Sequence, residues 1–217
     1  MRAEVRKIQI FPGHFCVSYI VYNIVLLSIG NYFVPNFLNV VIIIIAGILP
    51  DLIDSIYSTI KRISQKVKDD EFRHHAWPTH FPILYSPLIV ISIIFPSVLT
   101  ITIAINIYLH FIGDTLQTDD GIKWLWPFSN KYYKLFSEKM EGMHNMKWVY
   151  YYRQTFLYKI EWVLFVITSV IIIINAYILY NVILFIIALI IMPVLMICIR
   201  IIEKKMLQNI KESLITE

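Results

Sequence analysis

The chain has 217 residues, of which 58% are hydrophobic and 16% charged, and its mean hydropathy is +0.67. Ordinary soluble domains are roughly half apolar and about a quarter charged, so the composition excludes that class, and it equally excludes intrinsic disorder. Cys16 and Cys198 lie in apolar runs near opposite ends, which excludes a disulfide framework or a cysteine zinc cluster. The net charge of +4 is modest and by itself says nothing about nucleic acid, and we expect no nucleic-acid partner.

Apolar segments of membrane-spanning length follow one another along the chain. They lie at about 15–33, 37–56, 97–116, 160–180 and 182–202, and a shorter segment at 81–95 contains Pro82 and Pro87. A transmembrane helix needs roughly 20 apolar residues, and irregular backbone cannot face lipid. The sequence therefore predicts an all-α, polytopic integral membrane bundle of five to six helices, with a single membrane-embedded domain over 1–202.

The C-terminal part of the chain predicts two further features. Segments 160–180 and 182–202 are separated by a very short connection, which favours a helical hairpin over 160–202. Beyond the hairpin, residues 203–217 alternate charged and apolar side chains at helical spacing. That pattern is typical of an amphipathic helix, so we expect a tail that lies on the membrane surface.

The placement of charge predicts the orientation in the membrane. Connections 34–36, 96–97 and 180–181 are tight turns, and pairing helices across them brings the longer connections and both termini to the opposite face. Every Lys, Arg, Asp and Glu lies on that face or in the helix ends beside it. Because cytoplasmic loops are enriched in Lys and Arg, we expect a protein of the cell membrane with both termini and its active site cytoplasmic.

Histidines and aspartates from distant parts of the chain reach this predicted cytoplasmic level. They form four groups: His14; Asp51 with Asp54; His74, His75 and His80; and His110 with Asp114. Each group alone also fits a structural explanation, such as a headgroup-level histidine, solvated helix-end carboxylates, or a core histidine paired with an aspartate. Together they favour a metal site, because charge near the bilayer is costly and imidazole and carboxylate ligands suit zinc. We expect one to three divalent ions, with zinc favoured.

Several short motifs, in this order along the chain, resemble the YdjM-like membrane-bound metal-dependent hydrolases. The motifs are Gly13-His14, Leu49-Pro50-Asp51 with Asp54, His75 with Thr79-His80, His110 with Asp114, and Gly121 with Trp126-Pro127. The resemblance covers the motif-bearing part, residues 12–130, and the family is distantly similar to zinc-dependent phospholipase C. It implies that the metal ligands are His14, Asp51, Asp54, His75, His80, His110 and Asp114. The chain departs from the family pattern in the spacing of the two aspartates, at Ala76 and Trp77, and at Phe81.

The resulting hypothesis is a metal-dependent hydrolase that cleaves a phosphoester in a membrane lipid or lipid-linked substrate. Asp51 or Asp54 would act as the general base. We expect His74, Thr79 and Glu161 to support the ligands or to join them, and Arg73, Lys123 and Trp126 to bind substrate, although interfacial anchoring also explains the last two. Two alternatives remain open: a metal-ion transporter or sensor, and a membrane scaffold that holds a structural metal.

Overall fold

A computed structural model describes residues 13–29, 36–65, 75, 77–117, 121–135, 152–178 and 182–215. These residues form seven α-helices: α1 (Gly13–Ile29), α2 (Phe37–Gly47), α3 (Leu49–Gln65), α4 (Ser86–Ile94), α5 (Val98–Gln117), α6 (Phe156–Ile178) and α7 (Val182–Ile215). Two 3-10 turns, Pro78–His80 and Pro82–Tyr85, precede α4. No β-strand occurs in the described ranges, so the all-α prediction is confirmed.

The chain divides into two compact units. One comprises His14–Gly142 and contains α2 to α5 and all of α1 except its first residue. The other comprises Met1–Gly13 with Met143–Glu217 and contains α6 packed against α7. Helix α7 runs without interruption from its apolar part through Ile215, so the segment predicted as a tail continues the preceding helix. The single domain over 1–202 stays a prediction.

Apolar helices account for much of both units. Within the described residues, Val98–Leu116 and Phe156–Ile178 are long and apolar enough to cross a membrane. Shorter apolar helices span Gly13–Ile29, Phe37–Gly47, Pro82–Ile94 and Ile186–Ile202. The structure therefore supports two candidate spans, and the predicted count of five to six is not confirmed.

The segment predicted as one helix over 37–56 is divided into α2 and α3. Helix α2 begins after Asn36, whose side-chain oxygen accepts hydrogen bonds from the backbone N–H groups of Leu38 (2.9 Å) and Asn39 (3.4 Å). It ends at Gly47, and α3 starts at Leu49 with Pro50 in its first turn. Proline has no N–H to donate to the preceding turn, so it fits the start of a helix and not its interior. This break makes Asp51 a first-turn residue.

Helices α1, α2 and α5 share a buried core. Tyr22, Leu26 and Ile43 are buried together, and side chains of α5, including Val98, pack against them. The Tyr22 hydroxyl accepts a hydrogen bond from the backbone N–H of Asn36 (3.3 Å). The packing fixes α5, the helix that carries two of the site residues, against its neighbours.

The segment after α5 folds back onto the end of that helix. Ile122 and Tyr133 exchange backbone hydrogen bonds of 3.0 and 2.9 Å. Gly121 precedes this bridge with φ +68°, and a β-carbon there would lie 2.7 Å from the Tyr133 carbonyl oxygen, so only glycine fits without strain. Trp124 Nε1 donates to Thr115 Oγ1 at 2.8 Å. This hydrogen bond attaches the segment to Thr115, the residue that follows Asp114.

Candidate metal centre

Helix α5, which is otherwise largely apolar, supplies two polar side chains to the site. His110 and Asp114 are one helical turn apart, and both are buried. His110 Nε2 lies 3.1 Å from Asp114 Oδ2. Spacing of four residues brings both side chains to one face of the helix, as the sequence predicts. Polar groups of this kind, buried at the end of a membrane-type helix, are costly unless they have a function.

Helix α3 contributes Asp51 from its first turn. Its Oδ1 lies 3.2 Å from His80 Nε2 and 3.5 Å from His110 Nε2. A carboxylate in this position also interacts favourably with the positive end of the helix dipole. The break at Pro50 therefore places a negative charge opposite the two imidazoles.

The segment before α4 contributes His80 and His75. Pro78 opens the 3-10 turn that ends at His80, and the His80 side chain is fully buried. Thr79 Oγ1 lies 3.1 Å from His80 Nδ1, which leaves Nε2 to face the carboxylates. His75 is also buried, and its Nε2 lies 3.7 Å from Asp114 Oδ2.

His14, near the start of α1, approaches the same carboxylate from another direction. Its Nε2 lies 3.7 Å from Asp114 Oδ1, and its ring centroid lies 4.3 Å from that of His110. The two oxygens of Asp114 therefore face different histidines: Oδ1 faces His14, while Oδ2 faces His75, His80 and His110.

Asp51, His80, His110 and Asp114, hereafter the Asp/His group, can bind a metal ion. One ligand atom from each residue lies within 4.8 Å of all the others. Tetrahedral coordination with zinc bonds of about 2.0–2.1 Å separates neighbouring ligand atoms by about 3.3 Å, which is within the range of the observed imidazole–carboxylate distances. A divalent cation would also offset the repulsion between two close carboxylates. The donor set therefore fits a divalent metal, and its chemistry suits zinc.

Three other predicted site residues contact members of this group. His14 and His75 contact Asp114, and Thr79 contacts His80. Asp54 is buried on α3, one turn beyond Asp51, and its role as a ligand stays a prediction. His74 and Arg73 lie outside the described residues.

Glu161 belongs to the unit that contains α6 and α7, where it is buried near the start of α6. Its carboxylate packs against Gly13 of the same unit, since a β-carbon at that glycine would lie 2.7 Å from Glu161 Oε1. A larger residue at position 13 would displace this carboxylate. The proposed contribution of Glu161 to metal binding stays a prediction.

Two residues predicted to bind substrate pack against Phe81, the buried neighbour of His80. The Trp126 ring centroid lies 4.8 Å from that of Phe81. Lys123 Nζ lies 5.6 Å from the Phe81 ring centroid and 4.8 Å from that of Tyr132. Phe81, which departs from the family pattern, thus connects the basic and aromatic segment after α5 to its chain neighbour His80, a member of the Asp/His group.

Sequence reasoning missed two buried polar residues on α5 that lie outside the Asp/His group. Thr102 and Asn106 are buried at intervals of four residues before His110, so they lie on the same face of the helix. The signal is visible in the sequence as the series Thr102, Asn106, His110, Asp114. A motif search overlooks it because the first two residues are uncharged.

Comparison with known proteins identifies the family. The family model for the YdjM inner membrane protein matches residues 10–207. No curated protein and no solved structure matches the chain. The similarity to zinc-dependent phospholipase C therefore stays a prediction.

Proposed function

The chain belongs to the YdjM inner membrane protein family, and from this premise we propose that it is a metal-dependent hydrolase that cleaves a phosphoester in a lipid or lipid-linked substrate. The observation that carries the proposal is the Asp/His group, in which two carboxylates and two imidazoles converge within 4.8 Å. Clustered ligands of this kind are a common basis for metal-assisted hydrolysis.

In this proposal the Asp/His group holds a divalent metal, with zinc favoured. His14 and His75 contact Asp114 and either orient it or extend the site to a further ion. A metal held there supplies Lewis acidity, which polarises a phosphoryl oxygen and makes water a stronger acid. The hydrogen bond between Thr79 and His80 keeps the His80 Nε2 atom directed at Asp51.

Accessibility favours an enzyme over a scaffold with a closed structural metal. The Asp51 side chain is 33% exposed, whereas those of His80 and His110 are fully buried and that of Asp114 is 5% exposed. The Asp/His group is therefore accessible from the side of Asp51, where water and a phosphoester can approach. Structural zinc sites are closed, while catalytic sites keep a position open to ligand.

The remaining roles follow from position and chemistry. Asp54 lies one turn beyond Asp51 and takes the proton of the attacking water as general base. Lys123 and Arg73 attract the anionic headgroup of the substrate, and Trp126 lies against the apolar part of the substrate. The substrate reaches the site from the cytoplasmic leaflet, as the distribution of Lys and Arg predicts.

Metal analysis together with a turnover assay tests this function. The full chain is purified in detergent, its zinc content is measured, and phosphate or phosphoester release from phospholipid vesicles is followed with and without a chelator. We expect bound metal and chelator-sensitive release, both abolished by the double substitution His110→Ala and Asp114→Ala. Thr102→Val, which alters a buried hydroxyl bonded within its own helix, should leave both unchanged. Turnover by metal-free protein, or flux of the metal into proteoliposomes without hydrolysis, would overturn the proposal.

A further inference from the structure

Asn106 is a buried amide in the middle of the most polar face of α5. It is 2% exposed, and among the described residues neither Oδ1 nor Nδ2 has a hydrogen-bond partner. Thr102, one turn earlier, is satisfied by a 2.6 Å bond from its hydroxyl to the Val98 carbonyl oxygen. A buried amide that makes no hydrogen bond is costly, so Asn106 needs an explanation that Thr102 does not.

His110, one turn later, has a complementary group. Its Nε2 faces the carboxylates of Asp51 and Asp114, while its Nδ1 is buried and has no hydrogen-bond partner in the described ranges. An imidazole that binds a metal through Nε2 carries its proton on Nδ1, and such histidines almost always donate that proton to a carboxylate, a carbonyl or water. His80 meets this requirement, because Thr79 Oγ1 lies 3.1 Å from its Nδ1.

The helix brings the two groups together. Side chains four residues apart have β-carbons about 5–6 Å from each other, and each side chain leans toward the preceding turn. His110 therefore leans toward Asn106 and away from the end of the helix. The amide oxygen of Asn106 is an acceptor of the kind that a ligating imidazole uses. Because neither group has a hydrogen-bond partner among the described residues, a single water between them would satisfy both.

We propose that Asn106 is a positioning residue for His110: one bridging water accepts a hydrogen bond from His110 Nδ1–H and donates one to Asn106 Oδ1. The bond fixes the ring tautomer and orients Nε2 toward Asp51 and Asp114. Asn106 thereby raises the metal affinity of the Asp/His group without touching the metal. The inference rests on the proposed metal site, but it concerns a residue that no motif of the chain includes.

Substitution by leucine separates this role from a structural one. Asn106→Leu keeps the branching and the number of heavy atoms of the side chain and removes the acceptor. Co²⁺ titration of the full chain in detergent, followed by visible absorption, should give an affinity about 10- to 100-fold weaker than wild type, the usual effect of losing such a partner. The melting temperature of the metal-free protein should stay the same or rise, because leucine removes a buried amide. A purely structural role predicts the reverse: a lower melting temperature with little change in affinity.

Two further variants complete the test. Asn106→Asp retains an acceptor and should bind Co²⁺ with an affinity close to that of the wild type. Thr102→Val, on the same buried face, should bind as wild type does. Wild-type affinity in Asn106→Leu, or an equal loss in Thr102→Val, would overturn the role of Asn106 and leave the metal site intact. Wild-type protein that binds no Co²⁺ would overturn the metal site and this inference together.

Discussion

The Asp114 carboxylate lies within 4 Å of four histidines of the site, so its replacement by asparagine is an informative single change. Oδ2 lies 3.1 Å from His110 Nε2, and Oδ1 lies 3.7 Å from His14 Nε2. Asparagine keeps the shape of the side chain, but it removes the negative charge and replaces one oxygen with an N–H donor. Whichever way the amide is turned, at least one histidine then faces an N–H donor in place of a carboxylate oxygen.

The magnitude follows from the number of ligands. Structural zinc sites bind with about 10–16 kcal/mol, which is roughly 2.5–4 kcal/mol for each of four ligands. Loss of one ligand therefore predicts zinc binding about 100- to 1,000-fold weaker in Asp114→Asn, because each factor of ten corresponds to about 1.4 kcal/mol.

Competition with a chelator of known zinc affinity measures this change on detergent-solubilised protein. Thr102→Val serves as the matched control, since it alters a buried polar residue of the same helix outside the Asp/His group. Asp114→Asn protein that binds zinc as tightly as the control would refute the reasoning, because the carboxylate would then make no contribution to metal binding.

Three further substitutions test separate parts of the structure. Asp54→Asn should retain its zinc and lose about 10²- to 10⁴-fold in phosphoester turnover as a missing general base; equal loss of zinc would make Asp54 a ligand instead. Gly121→Ala should lower the melting temperature in detergent, because φ +68° and the nearby Tyr133 carbonyl strain any β-carbon by about 1–3 kcal/mol, and an unchanged melting temperature would contradict this. Trp124→Phe should lower the free energy of unfolding by about 0.5–1.5 kcal/mol through its lost hydrogen bond. It should lower that free energy no further in a chain that already carries Thr115→Val, and additive losses would contradict the hydrogen bond.

Long apolar runs made much of the fold predictable. The segment predicted at 97–116 corresponds closely to α5, Val98–Gln117, because its apolar residues continue without a proline. The segment predicted at 37–56 is equally apolar, yet it divides at Ile48, and hydropathy alone does not register the backbone requirement of Pro50. Prolines also explain why the region at 81–95 begins with a 3-10 turn before α4.

The site was predictable where spacing within one element determines proximity. His110 and Asp114 meet because four residues make about one helical turn. The convergence of Asp51 and His80 on that pair depends on how α3 and a 3-10 turn pack, which motif order suggests but local geometry cannot give. Asn106 escaped prediction because an amide among isoleucines has no charge to attract notice, and only its burial identifies it.

The most direct measurement for the central claim is the X-ray absorption spectrum of zinc bound to the full chain. We predict a first shell of nitrogen and oxygen atoms at about 2.0–2.1 Å, with imidazole scattering that disappears, together with the bound zinc, when His80 and His110 are both changed to alanine. Sulfur scattering at about 2.3 Å would contradict the account by pointing to Cys16 or Cys198. A spectrum unchanged by the double substitution would contradict it as well.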